Sequence, residues 1–353
     1  MRLSFFTCLV IAGLLGACNG KEKSQEKMVN LNTVAPDAEV RLKQVSDAID
    51  REPKNAGLLA RRAKLYLELK QPEKALADAE KAILLDGKQG EFYFLKAKAQ
   101  RALNRLEAAL NSLSLAEQKS YNSSDLYILR GEIFVIIKQY QSAIDNLNQA
   151  LKITPFNEYS YFYKGLIYAE TGDTARAISN LQTSLEQAPE FIEPYNELAK
   201  IHTAQKKYAE ANQYLQSGLR FEPANPFLQY NLGVNLVSQN YADSAVVNFE
   251  NALRADTSMF MARYNLGVIA YNQDRYKEAA GHFAGLQRYA GKLPNLHLLL
   301  ADSYEKSGSR EEAIAQYNRV LEKNPANSFA RNALRRLNKA GRPVRPDTAA
   351  AGR

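Results

Sequence analysis

Alanine recurs at one position of a 34-residue period along most of this chain. Frames that begin at residues 56, 90, 124, 158, 192, 226, 260 and 294 follow one another without insertion or deletion. The twentieth residue of every frame is an alanine: Ala75, Ala109, Ala143, Ala177, Ala211, Ala245, Ala279 and Ala313. If alanine filled roughly one site in ten, eight matches in a row would have a chance probability on the order of 10⁻⁸. The chain therefore contains an array of eight related units.

The eighth residue of every frame is also small. These residues are Ala63, Ala97, Gly131, Gly165, Ala199, Gly233, Gly267 and Ala301. The stretch YNLGV occurs at residues 230–234 and again at 264–268 because both copies fill the same positions of consecutive units. Small residues at two fixed positions let two helices approach each other closely.

Each unit is predicted to be a helix, a turn and a second helix. The sixth unit has two apolar runs at helical spacing, which are Leu232, Leu236 and Val237 and then Val246, Phe249 and Leu253. Asn240 lies between the two runs, as a turn residue would. Several units end in a proline, which lacks the N–H that a continuing helix needs. These are Pro155, Pro189, Pro223 and Pro325.

This pattern resembles the tetratricopeptide repeat, which has a small residue at position 8, alanine at 20 and proline at 32. The resemblance covers residues 56–327, although tyrosines such as Tyr93 and Tyr161 replace the usual tryptophan at position 4. Proline at position 32 is missing from half of the units. The resemblance implies an all-α, right-handed superhelical solenoid of helix-turn-helix repeats whose concave side binds other proteins.

The segments on either side of the repeats are predicted to close the solenoid. Residues 37–55 match the second helix of a preceding half-repeat, with Val45, Ala48 and Ile49 in apolar positions. Residues 328–340 are predicted to form an amphipathic capping helix, and residues 341–353 a disordered basic tail. In the capping helix, we expect Phe329, Leu334 and Leu337 to cover the last unit, and Arg331, Arg335, Arg336 and Lys339 to face water.

Residues 1–17 have the features of a secretory signal peptide. Arg2 precedes an apolar stretch of about a dozen residues, fewer than the roughly 20 that a membrane-spanning helix needs. The stretch ends in Leu15-Gly16-Ala17-Cys18, which resembles the bacterial lipobox. This resemblance implies cleavage before Cys18, lipidation of its thiol and a flexible tether over residues 18–36. The alternative is an ordinary cleaved signal in which Cys18 is incidental.

The lipobox also suggests a location in the bacterial cell envelope. Asn19 rather than aspartate follows the cysteine, and this favours the outer membrane, with the protein facing the periplasm or the cell surface. Nucleic acid is therefore not an expected partner.

The formal net charge of +8 is concentrated at the C-terminal end of the chain. Residues 328–353 contain seven arginines and lysines against one aspartate, whereas the middle of the repeat array is neutral to acidic. Such an end is typical of a solubilising surface. The alternative is contact with an anionic envelope polymer, such as peptidoglycan or a surface glycan.

No catalytic or metal-binding motif is present in the sequence. Cys8 and Cys18 are the two cysteines, and His202, His282 and His297 fall at different positions of different units. His202 takes position 11, which is usually a large buried residue, so we expect a core histidine. We predict a non-enzymatic protein that needs no cofactor or metal and has no catalytic residue.

The concave side offers a candidate protein-binding surface. In the tetratricopeptide family, positions 2, 5, 9 and 12 of the first helix line this side. Three units place apolar or aromatic residues there: Tyr159, Phe162 and Leu166; Phe227, Tyr230 and Val234; and Met261, Tyr264, Val268 and Tyr271. Exposed apolar patches usually mark contacts with other molecules. The alternative is that these side chains pack against the neighbouring repeat.

The predicted function is that of a scaffold or adaptor that binds a protein or peptide segment in this groove. The family's carboxylate clamp for C-terminal peptides is not predicted, because no unit combines lysine at position 5 with asparagine at position 9. A lipoprotein that assists outer-membrane protein or pilus assembly is a further alternative, beside the polymer-binding module. The sequence does not fix the oligomeric state.

Overall fold

The computed structural model describes residues 38–293 and 295–340, and all regular secondary structure in this part of the chain is helical. The first helices of the eight repeats are α2 Ala56–Glu68, α4 Gly90–Ala102, α6 Ser124–Ile136, α8 Glu158–Glu170, α10 Ile192–Ala204, α12 Pro226–Ser238, α14 Phe260–Asn272 and α16 Leu296–Lys306. The second helices are α3 Pro72–Leu85, α5 Leu106–Gln118, α7 Tyr140–Ile153, α9 Thr174–Gln187, α11 Tyr208–Phe221, α13 Ala242–Ala255, α15 Tyr276–Ala284 and α17 Arg310–Lys323. Helix α1 (Ala38–Arg51) precedes the repeats and α18 (Ser328–Ala340) follows them.

The prediction of an all-α solenoid of paired helices is confirmed. The predicted signal peptide, tether, lipidated Cys18 and basic tail lie outside the described residues. None of the helices in the described part of the chain is both long and apolar enough to span a bilayer.

The turn between the two helices of each repeat has one residue in the left-handed backbone region. It is position 15 in every repeat: Lys70, Asn104, Lys138, Gly172, Lys206, Asn240, Asp274 and Gly308. Glycine, asparagine and aspartate enter this region readily, whereas lysine does so at a cost. The prediction that Asn240 is a turn residue is therefore confirmed, with a φ of 65°.

The tyrosines at position 4 tie consecutive repeats together. The hydroxyl of Tyr161 donates a hydrogen bond to the carbonyl of Pro155 at 3.1 Å, and that of Tyr195 donates to the carbonyl of Pro189 at 2.8 Å. In both cases the acceptor is position 32 of the preceding repeat. Tyrosine thus replaces the family's tryptophan with a polar contact to the inter-repeat loop.

The small residues pack at the contact between the two helices of a repeat. All eight alanines at position 20 are fully buried, and so are the residues at position 8. A Cβ atom added to Gly233 would lie 2.6 Å from Cε1 of Phe249, and one added to Gly267 would lie 2.6 Å from Cε1 of Phe283. The prediction that small residues allow close helix packing is confirmed.

The seventh repeat departs from the regular pattern. Helix α15 ends at Ala284, a short 3₁₀ helix covers Gln287–Tyr289, and α16 begins at Leu296, two residues later than the start of the frame. Gly285 and Gly291 interrupt the sequence here, and glycine disfavours a continuous helix. Leu286 and Leu293 are buried and hold the irregular segment in place.

Both ends of the solenoid are covered by a single helix. Val45 and Ile49 of α1 are buried against the first repeat. In α18 the fully buried residues are Ala330 and Ala333, while Leu334 and Leu337 pack around them.

One expectation for α18 needs correction. Phe329 is 48% exposed rather than covered, although its ring centroid lies 6.2 Å from that of Tyr317. Arg336 is exposed, as expected, and also forms an ion pair of 2.8 Å with Glu305 of α16.

His202 is a core residue, as predicted, and its burial should be visible in the pH dependence of stability. Neither ring nitrogen has a hydrogen-bond partner in the described part of the chain, and the ring stacks on Tyr214 at 5.4 Å. Burial, with a smaller contribution from Lys207, lowers the pKa of His202. In the unfolded chain the pKa of histidine is about 6.5. As the pH falls below that value, the unfolded state binds a proton that the native state resists, so the free energy of unfolding decreases.

We expect His202→Leu to raise the free energy of unfolding by about 1 kcal/mol at pH 7, because leucine removes two buried nitrogens that lack partners. The gain should grow as the pH is lowered from 7 to 5. Urea denaturation of both proteins across this range measures the difference. The pKa of His282 is also lowered by burial, but His282 is present in both proteins. Its contribution therefore cancels in the difference between their free energies of unfolding. A stability gain for His202→Leu that shrinks as the pH falls would contradict a lowered pKa for His202.

Candidate functional site

The first helices of the repeats form the inner wall of the solenoid. Consecutive first helices contact each other from α2 to α12, whereas consecutive second helices make no comparable contacts within the described residues. The side with the closer spacing is the inside of a curved array. We call the surface formed by positions 2, 5, 9 and 12 of these helices the inner face.

Three of the predicted binding residues are well exposed on the inner face. Tyr159 is 45% exposed, Phe227 is 56% exposed and Met261 is 36% exposed. All three occupy position 2 of their repeats. They are available for contact with another molecule, since each leaves a large apolar surface in water.

Four further predicted residues are half-buried, namely Tyr230, Val234, Tyr264 and Val268. The ring of Tyr230 lies 5.7 Å from that of Phe249, and the ring of Tyr264 lies 5.9 Å from that of Phe283. Burial raises the pKa of Tyr230, so its hydroxyl stays neutral at physiological pH. Each of these residues shares its surface between the core of its own repeat and the inner face.

The other three predicted residues contribute less free surface. Phe162 is only 8% exposed, with its ring centroid 5.1 Å from that of Phe191, and Leu166 is half-buried in the same cluster. The hydroxyl of Tyr271 donates a hydrogen bond to Asp302 and accepts one of 2.8 Å from Nζ of Lys306. Phe162 is therefore a packing residue, and Tyr271 is already engaged with the next repeat.

A polar ladder separates the fourth repeat from the sixth along the inner face. Nδ2 of Asn231 donates to Oδ1 of Asn196 at 2.9 Å, and the hydroxyl of Thr203 donates to Oδ1 of Asn235 at 3.3 Å. These bonds join α10 to α12. The predicted aromatic surface thus consists of two parts, one around Tyr159 and one on the sixth and seventh repeats.

The part around Tyr159 is larger than the sequence indicated. A cavity of about 270 Å³ lies between the second, third and fourth repeats. Its apolar lining includes Phe94, Ile128, Tyr159 and Tyr163. Burial raises the pKa of Tyr163 to about 12, which keeps this hydroxyl neutral as well.

A second cavity, of about 460 Å³, continues this surface toward the N-terminal end. It is lined by Lys64, Leu67, Glu68, Lys98, Arg101, Ala102, Leu129 and Glu132. Phe94, Lys98 and Ile128 could have been found from the sequence, because they occupy positions 5 and 9. Tyr163 is at position 6 and could not be assigned without coordinates.

The arrangement suits non-covalent association. Within residues 38–293 and 295–340, no group of three or more histidine, cysteine or carboxylate side chains could hold a metal ion. Aromatic rings, aliphatic side chains and a few charged groups along a rigid wall are what a protein-binding surface offers.

Comparison with known proteins identifies the class to which this solenoid belongs. Sequence profiles described as tetratricopeptide repeat match residues 56–89, 124–157, 168–232, 230–292 and 296–327. The chain therefore belongs to the tetratricopeptide repeat family, whose fold is generally a non-catalytic scaffold for protein–protein interaction.

The chain also resembles part of several curated proteins. It is 36% identical over 67 residues to the peroxisomal targeting signal receptor of Saccharomyces cerevisiae, which is 19% of this chain and 11% of that protein. It is 26% identical over 99 residues to the BBSome complex member BBS4 of Bos taurus, which is 28% of this chain and 19% of that protein. The chain thus spans less than a fifth of the length of either relative.

Solved structures share the fold at low sequence identity. A tetratricopeptide repeat protein from Parabacteroides merdae superposes with a TM-score of 0.54 at 14% identity, over 70% of this chain and 98% of that one. PilF of Pseudomonas aeruginosa superposes with a TM-score of 0.53 at 17% identity, over 62% of this chain and 97% of that one. A chain of the APC/C hetero-tetramer Cut9–Hcn1 superposes with a TM-score of 0.57 at 20% identity, over 85% of this chain and 59% of that one.

Proposed function

We propose that this protein is a non-enzymatic scaffold or adaptor that binds an extended segment of another protein along its inner face. The observation that carries the proposal is the exposure of large apolar side chains at one position of three repeats, namely Tyr159, Phe227 and Met261. Each presents its side chain to water from a rigid helix, which lowers the entropic cost of binding. The resemblance to a peroxisomal targeting signal receptor adds support, since a targeting signal is a segment of another protein.

Tyr230 and Tyr264 would complete this surface beside Phe227 and Met261. Tyrosine suits the role because it contributes a large contact area and keeps a hydroxyl for hydrogen bonding. The half-buried position of both rings fixes their orientation before a partner arrives.

Replacing Tyr159, Phe227 and Met261 together by alanine should reduce partner binding by at least tenfold. Residues at the centre of such interfaces often contribute about 2 kcal/mol or more each. The partner is first identified by crosslinking in the native cell and mass spectrometry, and its affinity for the purified wild-type and variant chains is then measured. These residues are better targets than Tyr230 and Tyr264, whose truncation also removes contacts with Phe249 and Phe283.

Tyr241→Ala and Phe156→Ala are matched controls for this experiment. Both side chains are more exposed than Tyr159, at 59% and 73%, and both lie on loops outside the first helices. They should leave the affinity unchanged. Equal losses for the control and inner-face variants, with helicity intact, would show that the partner binds elsewhere.

We further propose that the protein is a lipoprotein of a bacterial envelope, anchored through Cys18 and located at the outer membrane. The support is the Leu15-Gly16-Ala17-Cys18 sequence after an apolar stretch. Cys18→Ser should move the protein from the membrane fraction to the soluble fraction and abolish incorporation of labelled fatty acid. Cys8→Ser, the control, should change neither result, and retention of the lipid label by the Cys18 variant would refute the anchor.

A further inference from the structure

Two ammonium groups on the inner face of the first two repeats have no ion-pair partner in the described part of the chain. Lys64 and Lys98 occupy position 9 of α2 and α4, and both are exposed. Nζ of Lys98 lies 5.7 Å from the centre of the Phe94 ring. This contact with the ring leaves the N–H groups of the ammonium able to donate hydrogen bonds to an anion. The 460 Å³ cavity lies between these two lysines.

The other charged groups of this cavity already balance one another. Glu68 pairs with Arg41 of α1 at 2.9 Å, and Glu132 pairs with Arg101 across the second and third repeats. The lysines therefore give the cavity an uncompensated positive charge. Nε of Arg101 is also buried without an acceptor among the described residues.

Two further acidic residues of the inner face, Glu91 and Asp125, lie near the beginnings of their helices. Glu91 is in the first turn of α4, seven residues before Lys98, which corresponds to about 10 Å along a helix. Asp125 occupies the same early position in α6 and lines the aromatic cavity together with Lys98, but the two form no ion pair among the described residues. Both suit the positive end of a helix dipole.

At the C-terminal end of the inner face, the charged groups are paired. Asp302 and Glu305 occupy positions 9 and 12 of the eighth repeat, but Lys306 binds the first at 2.9 Å and Arg336 binds the second at 2.8 Å. Lys200, at position 9 of the fifth repeat, pairs with Glu197 at 2.6 Å. Unpaired positive charge on the inner face is thus concentrated in the first two repeats.

The positive cavity is continuous with the aromatic one. The two cavities share Lys98, Leu129 and Glu132 in their walls. Phe94 lies four residues before Lys98 on α4, and Tyr159 lies on the fourth repeat. A chain that follows the inner face would pass from the unpaired lysines to these rings within a few residues.

We propose that the protein segment bound by this solenoid is acidic at one end and apolar beyond it. An aspartate or glutamate side chain binds between Lys64 and Lys98, and an aliphatic or aromatic side chain a few residues away fills the cavity beside Phe94 and Tyr159. Charge complementarity selects this occupant and fixes the direction in which the segment lies. The inference rests on the proposed function and specifies the chemistry of its partner.

A positional-scanning library of peptides of about 12 residues, which span roughly 40 Å when extended, tests the proposal with the full-length chain. Wild-type protein should enrich peptides with aspartate or glutamate at one end and an apolar residue a few positions away. In the best peptide, replacing the acidic residue by its amide should weaken binding about tenfold, measured by fluorescence anisotropy. The combined variant Lys64→Glu and Lys98→Glu should lose the acidic preference and select lysine or arginine at that position instead.

Lys138→Glu serves as the charge control, because Lys138 is an exposed lysine in the turn of the third repeat. It should keep the acidic preference. Enrichment of apolar peptides without an acidic preference, or an unchanged preference in the combined variant, would overturn this inference and leave the proposed function standing. A library with no enrichment on wild-type protein would overturn both.

Discussion

Phe249→Ala is expected to lower the free energy of unfolding by about 3–5 kcal/mol, the range found when a buried phenylalanine is truncated. The ring of Phe249 is fully buried between α12 and α13, against Gly233 and beside Tyr230. Neighbouring side chains cannot fill the resulting cavity, because rigid helices on both sides hold them apart.

Hydrogen exchange is the appropriate measurement for this variant, together with urea denaturation followed by circular dichroism. A repeat array need not unfold in one step, since each repeat contacts only its neighbours. Protection should therefore fall most in α12 and α13 and least in α2 and α3. A uniform decrease along the whole chain would contradict the view that the repeats are locally stabilised.

A double-mutant cycle can isolate the contact between position 8 and position 24. Gly233→Ala should force the Phe249 ring to move, and such overpacking costs about 1–3 kcal/mol. Alanine also favours the helix by about 1 kcal/mol relative to glycine, which partly hides the clash. Phe249→Leu should relieve it, because Ala97 with Leu113 and Ala199 with Leu215 already occupy the same positions of other repeats.

The helix-propensity gain of Gly233→Ala is the same in both backgrounds, so the coupling energy reports the clash alone. We expect the free energy of unfolding of the double variant to be at least about 1 kcal/mol higher than the sum of the two separate effects predicts. Strict additivity would mean that the Phe249 ring has another low-energy position.

The sequence predicted the family and the paired-helix architecture because its strongest signal is a packing constraint. Alanine at position 20 and a small residue at position 8 are required wherever two helices touch, so they recur in every repeat. His202 was identified as a core residue by the same reasoning from position.

Other features depend on contacts that a one-dimensional pattern does not contain. The seventh repeat keeps the 34-residue spacing, yet its second helix ends early at Ala284. Phe162 and Tyr230 both occupy position 5, but the first is 8% exposed and packs against Phe191, whereas the second is half-buried. The unpaired state of Lys64 and Lys98 depends on which neighbouring charges find partners, and this is settled only in three dimensions.

The capping helix α18 should be essential for the last repeat. Its buried residues Ala330 and Ala333 cover Tyr317 and Val320 of α17. Nη2 of Arg310 also donates a hydrogen bond of 2.8 Å to the carbonyl of Leu337. Removing α18 would expose the fully buried Tyr317 ring, and burial of such a side chain is worth about 1.5–3 kcal/mol.

Deletion of residues 328–353 is therefore expected to abolish the hydrogen-exchange protection of α16 and α17 and to promote aggregation, because terminal repeats need a cap with a polar outer surface. Deletion of residues 341–353 alone is the matched control, since it removes basic residues and retains α18. It should leave protection in α16 and α17 at the wild-type level. If the control deletion destabilises the last repeat as much as the longer one, the stabilisation comes from residues beyond the helix and not from the packing of Ala330 and Ala333.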